Sequence, residues 1–215
     1  MDENNNDVSG PAGTKKDNTS IPDRGRLFII SAPSGTGKTT LCNAVRKRFP
    51  NLEYSISYTT RSPRKGETDG EDYHFISTAE FLNRIASSAW AEWAEVHGNY
   101  YGTSADDLNS WISAGKDVLL DIDVAGAMQI RKKYPGCISI FILPPSLSVL
   151  EERLCSRRTD SPENIAIRLE NAKKEIAARD QYDHIIVNNE LSSAIDELES
   201  LIRSAPSGRV PDAWT

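Results

Sequence analysis

Leu27-Phe28-Ile29-Ile30 is a continuous apolar run with no polar position inside it. Such a run predicts a strand buried on both faces, as in the middle of a parallel sheet. Three more largely apolar runs follow: Val118-Leu119-Leu120 leading into Asp121, Ile138 to Leu143 with Ser139 inside it, and Ile185-Ile186-Val187. Between them the apolar positions take helical spacing over Thr39 to Phe49, Asp106 to Ala114, Val124 to Tyr134 and Ser146 to Cys155. A further helix is predicted over Pro162 to Asp180, with Ser161 as its cap and proline at the first helical position. The last is Leu191 to Ser204. Strands alternating with helices imply an α/β fold around a parallel sheet with right-handed crossovers.

Residues 55–103 break that rhythm. Ser55 to Thr60 and Trp90 to Val96 have strand character, with one helix, Thr78 to Ser87, between them, and polar and aromatic residues are mixed throughout. This segment is expected to be an inserted small α+β lobe, with 25–54 and 104–205 forming the core. Trp90 and Trp93 are expected to be packing residues. Residues 1–24 offer almost nothing to bury and are expected to be a disordered tail; 206–215 reads as a loose tail. No internal repeat is present.

Length and charge narrow the class. The chain has 215 residues, which suits one α/β domain with small insertions. A formal net charge of −6 argues against a general nucleic-acid binder but not against a nucleotide site, which grips phosphate locally. Cys42, Cys137 and Cys155 form no C-x-x-C pair or Cys/His cluster, so a metal framework or disulfide scaffold is not expected. No apolar run is long enough to span a membrane, and the N-terminus lacks the apolar core of a signal peptide. A reducing cytoplasmic setting is the expectation.

Candidate chemistry begins with Ala32-Pro33-Ser34-Gly35-Thr36-Gly37-Lys38-Thr39, which follows the first buried strand and opens a helix. That is the context of a phosphate-binding loop. Backbone N–H groups at a helix start lack intrahelical partners, and glycines let the loop wrap a di- or triphosphate. Lys38 supplies a cation over the outer phosphates, and Thr39 a hydroxyl for Mg²⁺. Ala32 stands where the first glycine of G-x-x-x-x-G-K-S/T is usual, which is tolerable provided its φ is negative. Asp123-Val124-Ala125-Gly126 has the D-x-x-G form used by GTPases, but the guanine-reading N-K-x-D is absent from the chain.

The inserted segment carries a second polar constellation. Ser57, Arg61 and Arg64 lie close together, followed by Gly66-Glu67, Gly70-Glu71-Asp72-Tyr73, Glu92 and Gly98-Asn99-Tyr100-Tyr101-Gly102-Thr103. Arginine forks and tyrosine hydroxyls suit a phosphate monoester. A carboxylate such as Glu92 can accept the N1–H and N2–H₂ donors of guanine together, while a hydroxyl of Ser57 or Thr103 suits its O6. Adenine, with an acceptor at N1, would leave that carboxylate unpaired.

The ordered set resembles the guanylate kinase family over about residues 26–203. It comprises the phosphate loop, Thr59-Thr60-Arg61-Ser62-Pro63-Arg64, Gly66-Glu67, Gly70 to Tyr73, Gly98 to Thr103, Asp121-Ile122-Asp123 and Phe141 to Ser146. The resemblance implies a three-layer sandwich of the P-loop type with a GMP-binding lobe and a short lid at 153–168. It implies transfer of the γ-phosphoryl group of ATP to GMP, with Mg²⁺ accompanying ATP and dGMP also accepted, within purine metabolism. Arg61, Arg64, Tyr73 and Tyr101 would hold the GMP phosphate. Ser57, Glu92 and Thr103 would read guanine with Asp123, and Asp121 would share that neighbourhood, its role not separable from that of Asp123. Arg153, Arg157 and Arg168 would bring lid cations to the transferring group. Ser156 and Arg158 replace glycines usual around Arg157, and Val124-Ala125-Gly126 and Asn188-Asn189 also depart from the family pattern. Two rivals remain: a binding module without catalysis, and a P-loop kinase for another acceptor.

Overall fold

The computed structural model describes residues 24–96, 98–156 and 161–206. The first apolar run forms β1 (Leu27–Ser31), every residue of which is buried. The phosphate loop follows, and α1 (Lys38–Arg48) leads into a short strand, β2 (Glu53–Tyr54). Next come β3 (Tyr58–Thr59), β4 (His74–Phe75), α2 (Thr78–Ala86), β5 (Trp90–Val96) and β6 (Asn99–Ser104). The chain then alternates through α3 (Ala105–Ser113), β7 (Val118–Asp121), α4 (Val124–Lys133) and β8 (Ile138–Leu143). It ends with α5 (Leu147–Ser156), α6 (Pro162–Ala177), β9 (His184–Val187) and α7 (Leu191–Ser204).

Five strands build one sheet in the order β2-β7-β1-β8-β9, with every neighbouring pair parallel. Alternation along β1 divides the core. Leu27 and Ile29 pack with Leu108, Ile112, Ala127 and Ile130 of α3 and α4 on one face. Phe28 and Ile30 pack with Leu41 and Val45 of α1 and Leu198 and Ile202 of α7 on the other. Helices on both faces of a parallel sheet make the three layers expected of an α/β fold.

Residues of the inserted segment form a second sheet, β4-β3-β6-β5, in which β3 and β4 run parallel while β6 is antiparallel to both its neighbours. Its core is aromatic: Phe81 of α2 stacks on Trp90 with centroids 4.3 Å apart and on Tyr100 at 5.3 Å. Ser77 caps α2 by accepting from the Glu80 N–H.

Several elements differ from expectation. The strand expected over Ser55 to Thr60 is only Tyr58–Thr59, because the Ser55 N–H still pairs with Leu119 O of the first sheet at 3.1 Å. The chain crosses from one sheet to the other between those points. β2, β4 and β6 carried no run long or apolar enough to announce them, although β6 is central in its sheet. The helix from Pro162 ends at Ala177, and Arg179–Gln181 forms a separate 3₁₀ turn. β9 is an edge strand, not a doubly covered one, and Ile185 and Val187 are exposed. Trp93 is 37% exposed and so is not a core residue, unlike Trp90 at 2%. Apart from residues 24 and 206, the expected tails lie outside the described residues.

Candidate active site

The phosphate loop joins β1 to α1. Gly35 and Gly37 have φ of 92° and 98°, and Gly37 caps α1 in the left-handed region that only glycine adopts freely. Ala32 is not among the residues with positive φ, so the missing first glycine costs the loop nothing there. The carbonyl of Thr36, a fully buried residue, is held twice, by Asn188 Nδ2 at 2.7 Å and by an Arg153 guanidinium nitrogen at 3.3 Å. Arg153 also donates to the Asn188 carbonyl at 3.1 Å.

Lys38 pairs with the Asp121 carboxylate and points along the end of β7, with Ile122 O at 3.4 Å. The register that places β7 directly beside β1 makes this pairing possible. Ligands gather outside the carboxyl ends of strands in such sheets. Asp123 caps α4, accepting from the Gly126 N–H at 2.7 Å.

A cleft of about 570 Å³ separates this edge of the core from the second sheet. Lys38, Thr39, Asp121 and Asp123 line it from the core side; Ser57, Arg61, Arg64, Tyr73, Glu92 and Tyr101 line it from the other. Thr103 stands behind Glu92 and donates to Glu92 Oε1 at 2.6 Å. Glu92 is only 6% exposed, and burial, with a smaller push from Asp123, raises its carboxyl to about 7 against the opposing effects of Thr103 and Lys133.

Arg61 is held ready by Glu67. Its two terminal nitrogens meet the two Glu67 oxygens at 2.9 Å each, and the Arg64 N–H donates to the same carboxylate at 2.7 Å. These donors depress the Glu67 carboxyl to about 2. The guanidinium lies 5.3 Å from the Tyr73 ring centre, and its Nε is buried with no partner. The Tyr73 and Tyr101 rings meet edge to face at 6.0 Å.

Pockets of about 330 and 370 Å³ flank the phosphate loop. Ala32, Pro33 and Ser34 line the first with Lys38, Thr39 and Glu175; Arg153, Asn188 and Asn189 line the second with Gly35, Thr36 and Gly37. Arg153 therefore lines the second of these pockets and not the large cleft. Arg168 is half-buried on α6, two helical turns before Glu175 and on the same face. Arg157 lies outside the described residues.

Some lining residues were not anticipated. Asn43 and Arg46 face the cleft, with Arg46 4.1 Å over the Tyr54 ring. They follow Thr39 at i+4 and i+7, so the helical face of Thr39 was the available signal. Glu175, whose carboxyl is raised by burial and by Asp123, had no motif to reveal it, and Asn188 stood out only as a departure from the family pattern, not as the brace it is.

A family model for guanylate kinase matches residues 24–205. The chain belongs to the guanylate kinase family. Two curated guanylate kinases illustrate the relationship. One from Carboxydothermus hydrogenoformans is 49% identical over 83% of this chain and 88% of its own length. One from Geobacter sulfurreducens is 50% identical over 88% of this chain and 94% of its own. Among solved structures, the guanylate kinase from Anaplasma phagocytophilum superposes with a TM-score of 0.69 at 32% identity, covering 86% of this chain and 87% of that one. In guanylate kinase terms, the cleft joins the phosphate loop to the second sheet, and every motif residue assigned to GMP except Thr103 lines it directly.

Proposed function

We propose that the chain transfers the γ-phosphoryl group of ATP to GMP, giving ADP and GDP. The observation that carries this reading is a single cleft with a phosphate-loop lysine at one end and a buried, hydroxyl-held carboxylate, Glu92, at the other. Arg61, Arg64, Tyr73 and Tyr101 hold the GMP phosphate. Glu92 accepts from guanine N1–H and N2–H₂, with Ser57 and Thr103 as hydroxyl partners and Asp121 and Asp123 beside them. The two rivals are disfavoured: Gly35, Gly37, Lys38 and Thr39 are all retained, and a carboxylate in that position rejects adenine.

A phosphate oxygen of GMP is already anionic, so its attack needs no general base. Positioning and charge neutralisation supply the rate. Loop N–H groups and Lys38 hold the donor phosphates, and Arg153, Arg157 and Arg168 supply lid cations. Residues 55–103 act as the GMP-binding lobe, 25–54 with 104–205 as the core and 153–168 as the lid. The donor set suits Mg²⁺: the Thr39 hydroxyl is exposed on the first turn of α1 beside Asp121 and Asp123. Among the described residues no group of three or more His, Cys, Asp or Glu could hold a metal by itself, so phosphate oxygens and water would complete the shell, as Mg²⁺ prefers. Bound with ATP, the ion would neutralise charge on the phosphoryl oxygens. We place the enzyme in the cytoplasm, in purine metabolism. Among the described residues no helix is long and apolar enough to cross a membrane.

The test is ADP production from Mg·ATP with GMP, dGMP, AMP, CMP and UMP supplied separately. Strong turnover with GMP, less with dGMP and almost none with the others is expected. Folded protein that binds GMP without turnover would return the binding-module reading.

A further inference from the structure

The D-x-x-G outline at Asp123 to Gly126 lacks the N-K-x-D that accompanies it in GTPases, and its glycine calls for another explanation. Gly126 is the third residue of α4, with its N–H already committed to Asp123 Oδ1. It is absent from the residues with positive φ, so conformational freedom does not account for it. In a helix, glycine is a poorer choice than alanine. What a side chain would meet does account for it. A Cβ at Gly126 would lie 2.9 Å from Glu92 Oε2, 3.2 Å from Glu92 Cδ and 3.4 Å from Asp123 Oδ1.

The Glu92 carboxylate could yield only toward the cleft that it lines, at the cost of its present contacts. Oε1 is held by Thr103, the residue is buried, and β5 is fixed against β6 by their ladder. A methyl group would displace the carboxylate from the Oε2 side, taking either Oε1 off the Thr103 hydroxyl or Oε2 out of its place toward the cleft. The backbone N–H groups at the start of α4 also make that spot hospitable to a carboxylate.

We infer that Gly126 is a positioning residue for guanine recognition: its missing side chain lets the Glu92 carboxylate lie against the first turn of α4, beside Asp123, where it faces the base. The inference rests on the guanine-reading role proposed for Glu92.

A double-mutant cycle tests it, with Gly126→Ala made in the wild type and in Glu92→Ala. In the wild-type background the methyl should raise the KM for GMP at least tenfold, leave the KM for ATP within twofold, and lower the melting temperature. In the Glu92→Ala background, where the methyl meets no carboxylate, it should change the KM for GMP less than twofold and restore the melting temperature. Folding of the double variant where the single Gly126→Ala variant fails would equally support the inference. An equal effect in both backgrounds, no effect in either, or failure of both to fold overturns it. Absence of GMP turnover by the wild type removes the role of Glu92 instead, and the melting temperatures then decide the packing claim alone.

Discussion

The guanine-reading role proposed for Glu92 would make GMP affinity depend on pH in a way that can be worked out beforehand. Guanine offers two donors to this residue, so the ionised carboxylate binds and the neutral acid, itself a donor, does not. Burial raises the carboxyl to about 7. About one molecule in eleven is then competent at pH 6 and about ten in eleven at pH 8, so the KM for GMP should be about tenfold higher at pH 6. The GMP phosphate, with a second pKa of about 6, adds roughly a further twofold. Steady-state kinetics at saturating Mg·ATP, from pH 6 to 8, reads this directly. Glu92→Gln should keep only the twofold part on a much weaker baseline, and the KM for ATP should not follow. The same group leaves a mark on stability. Its folded value lies above the ordinary 4.5, so the folded state holds the proton more tightly. That contribution is complete below about pH 4.5 and is lost as pH rises to about 7, amounting to about 3 kcal/mol over the interval. Relative to Glu92→Gln, which stays neutral, the nucleotide-free wild type should therefore lose melting temperature across that window. A KM for GMP that is flat from pH 6 to 8, or that falls on acidification, would refute the reasoning.

Three further outcomes are expected. Lys38→Ala should lower kcat about a hundredfold or more with any acceptor, since it removes the loop's own cation from the developing charge; an acceptor panel checks this. Glu67→Ala should raise the KM for GMP about tenfold without moving the KM for ATP, because the Arg61 fork loses both of its anchoring oxygens. Asn188→Asp replaces the amide donor to the buried Thr36 carbonyl with an acceptor, at a cost of about 1–3 kcal/mol. It should raise the KM for ATP about tenfold and lower the melting temperature, with the KM for GMP unchanged.

The core was legible because four of its five strands are largely apolar runs and its helices carry regular spacing. β1 pairs on both sides within the core, so its four apolar residues have no polar partner to alternate with. The second sheet was much less legible. β3 and β4 are two residues long, and β6 reads Asn99-Tyr100-Tyr101-Gly102-Thr103-Ser104, where site chemistry overrides strand patterning. The exposure of Ile185 and Val187 was hidden for a different reason: a three-residue apolar run does not say whether a strand lies inside a sheet or at its edge. Motif residues were found because their types and order are diagnostic. Asn188 and Gly126 stood out in the sequence only as a departure and as a D-x-x-G glycine, and their roles stayed hidden because they lie in what is touched across 152 positions of sequence or in the side chain that is lacking.

The position of β1 in its sheet governs how the protein can be made. Both neighbours of β1 arrive late from the ribosome, β7 starting at Val118 and β8 at Ile138. Until then Leu27 to Ile30 have no ladder on either side, and the phosphate loop that hangs from them has no fixed base. Nascent chains up to about that point would hold an unpaired, wholly apolar strand, the kind of segment that invites association with other chains. The second sheet, complete by Ser104, has its strands before the catalytic core does. Synthesis thus delivers the sheet proposed to hold the acceptor first, and the sheet that carries the phosphate loop only when more than half of the polypeptide is in place.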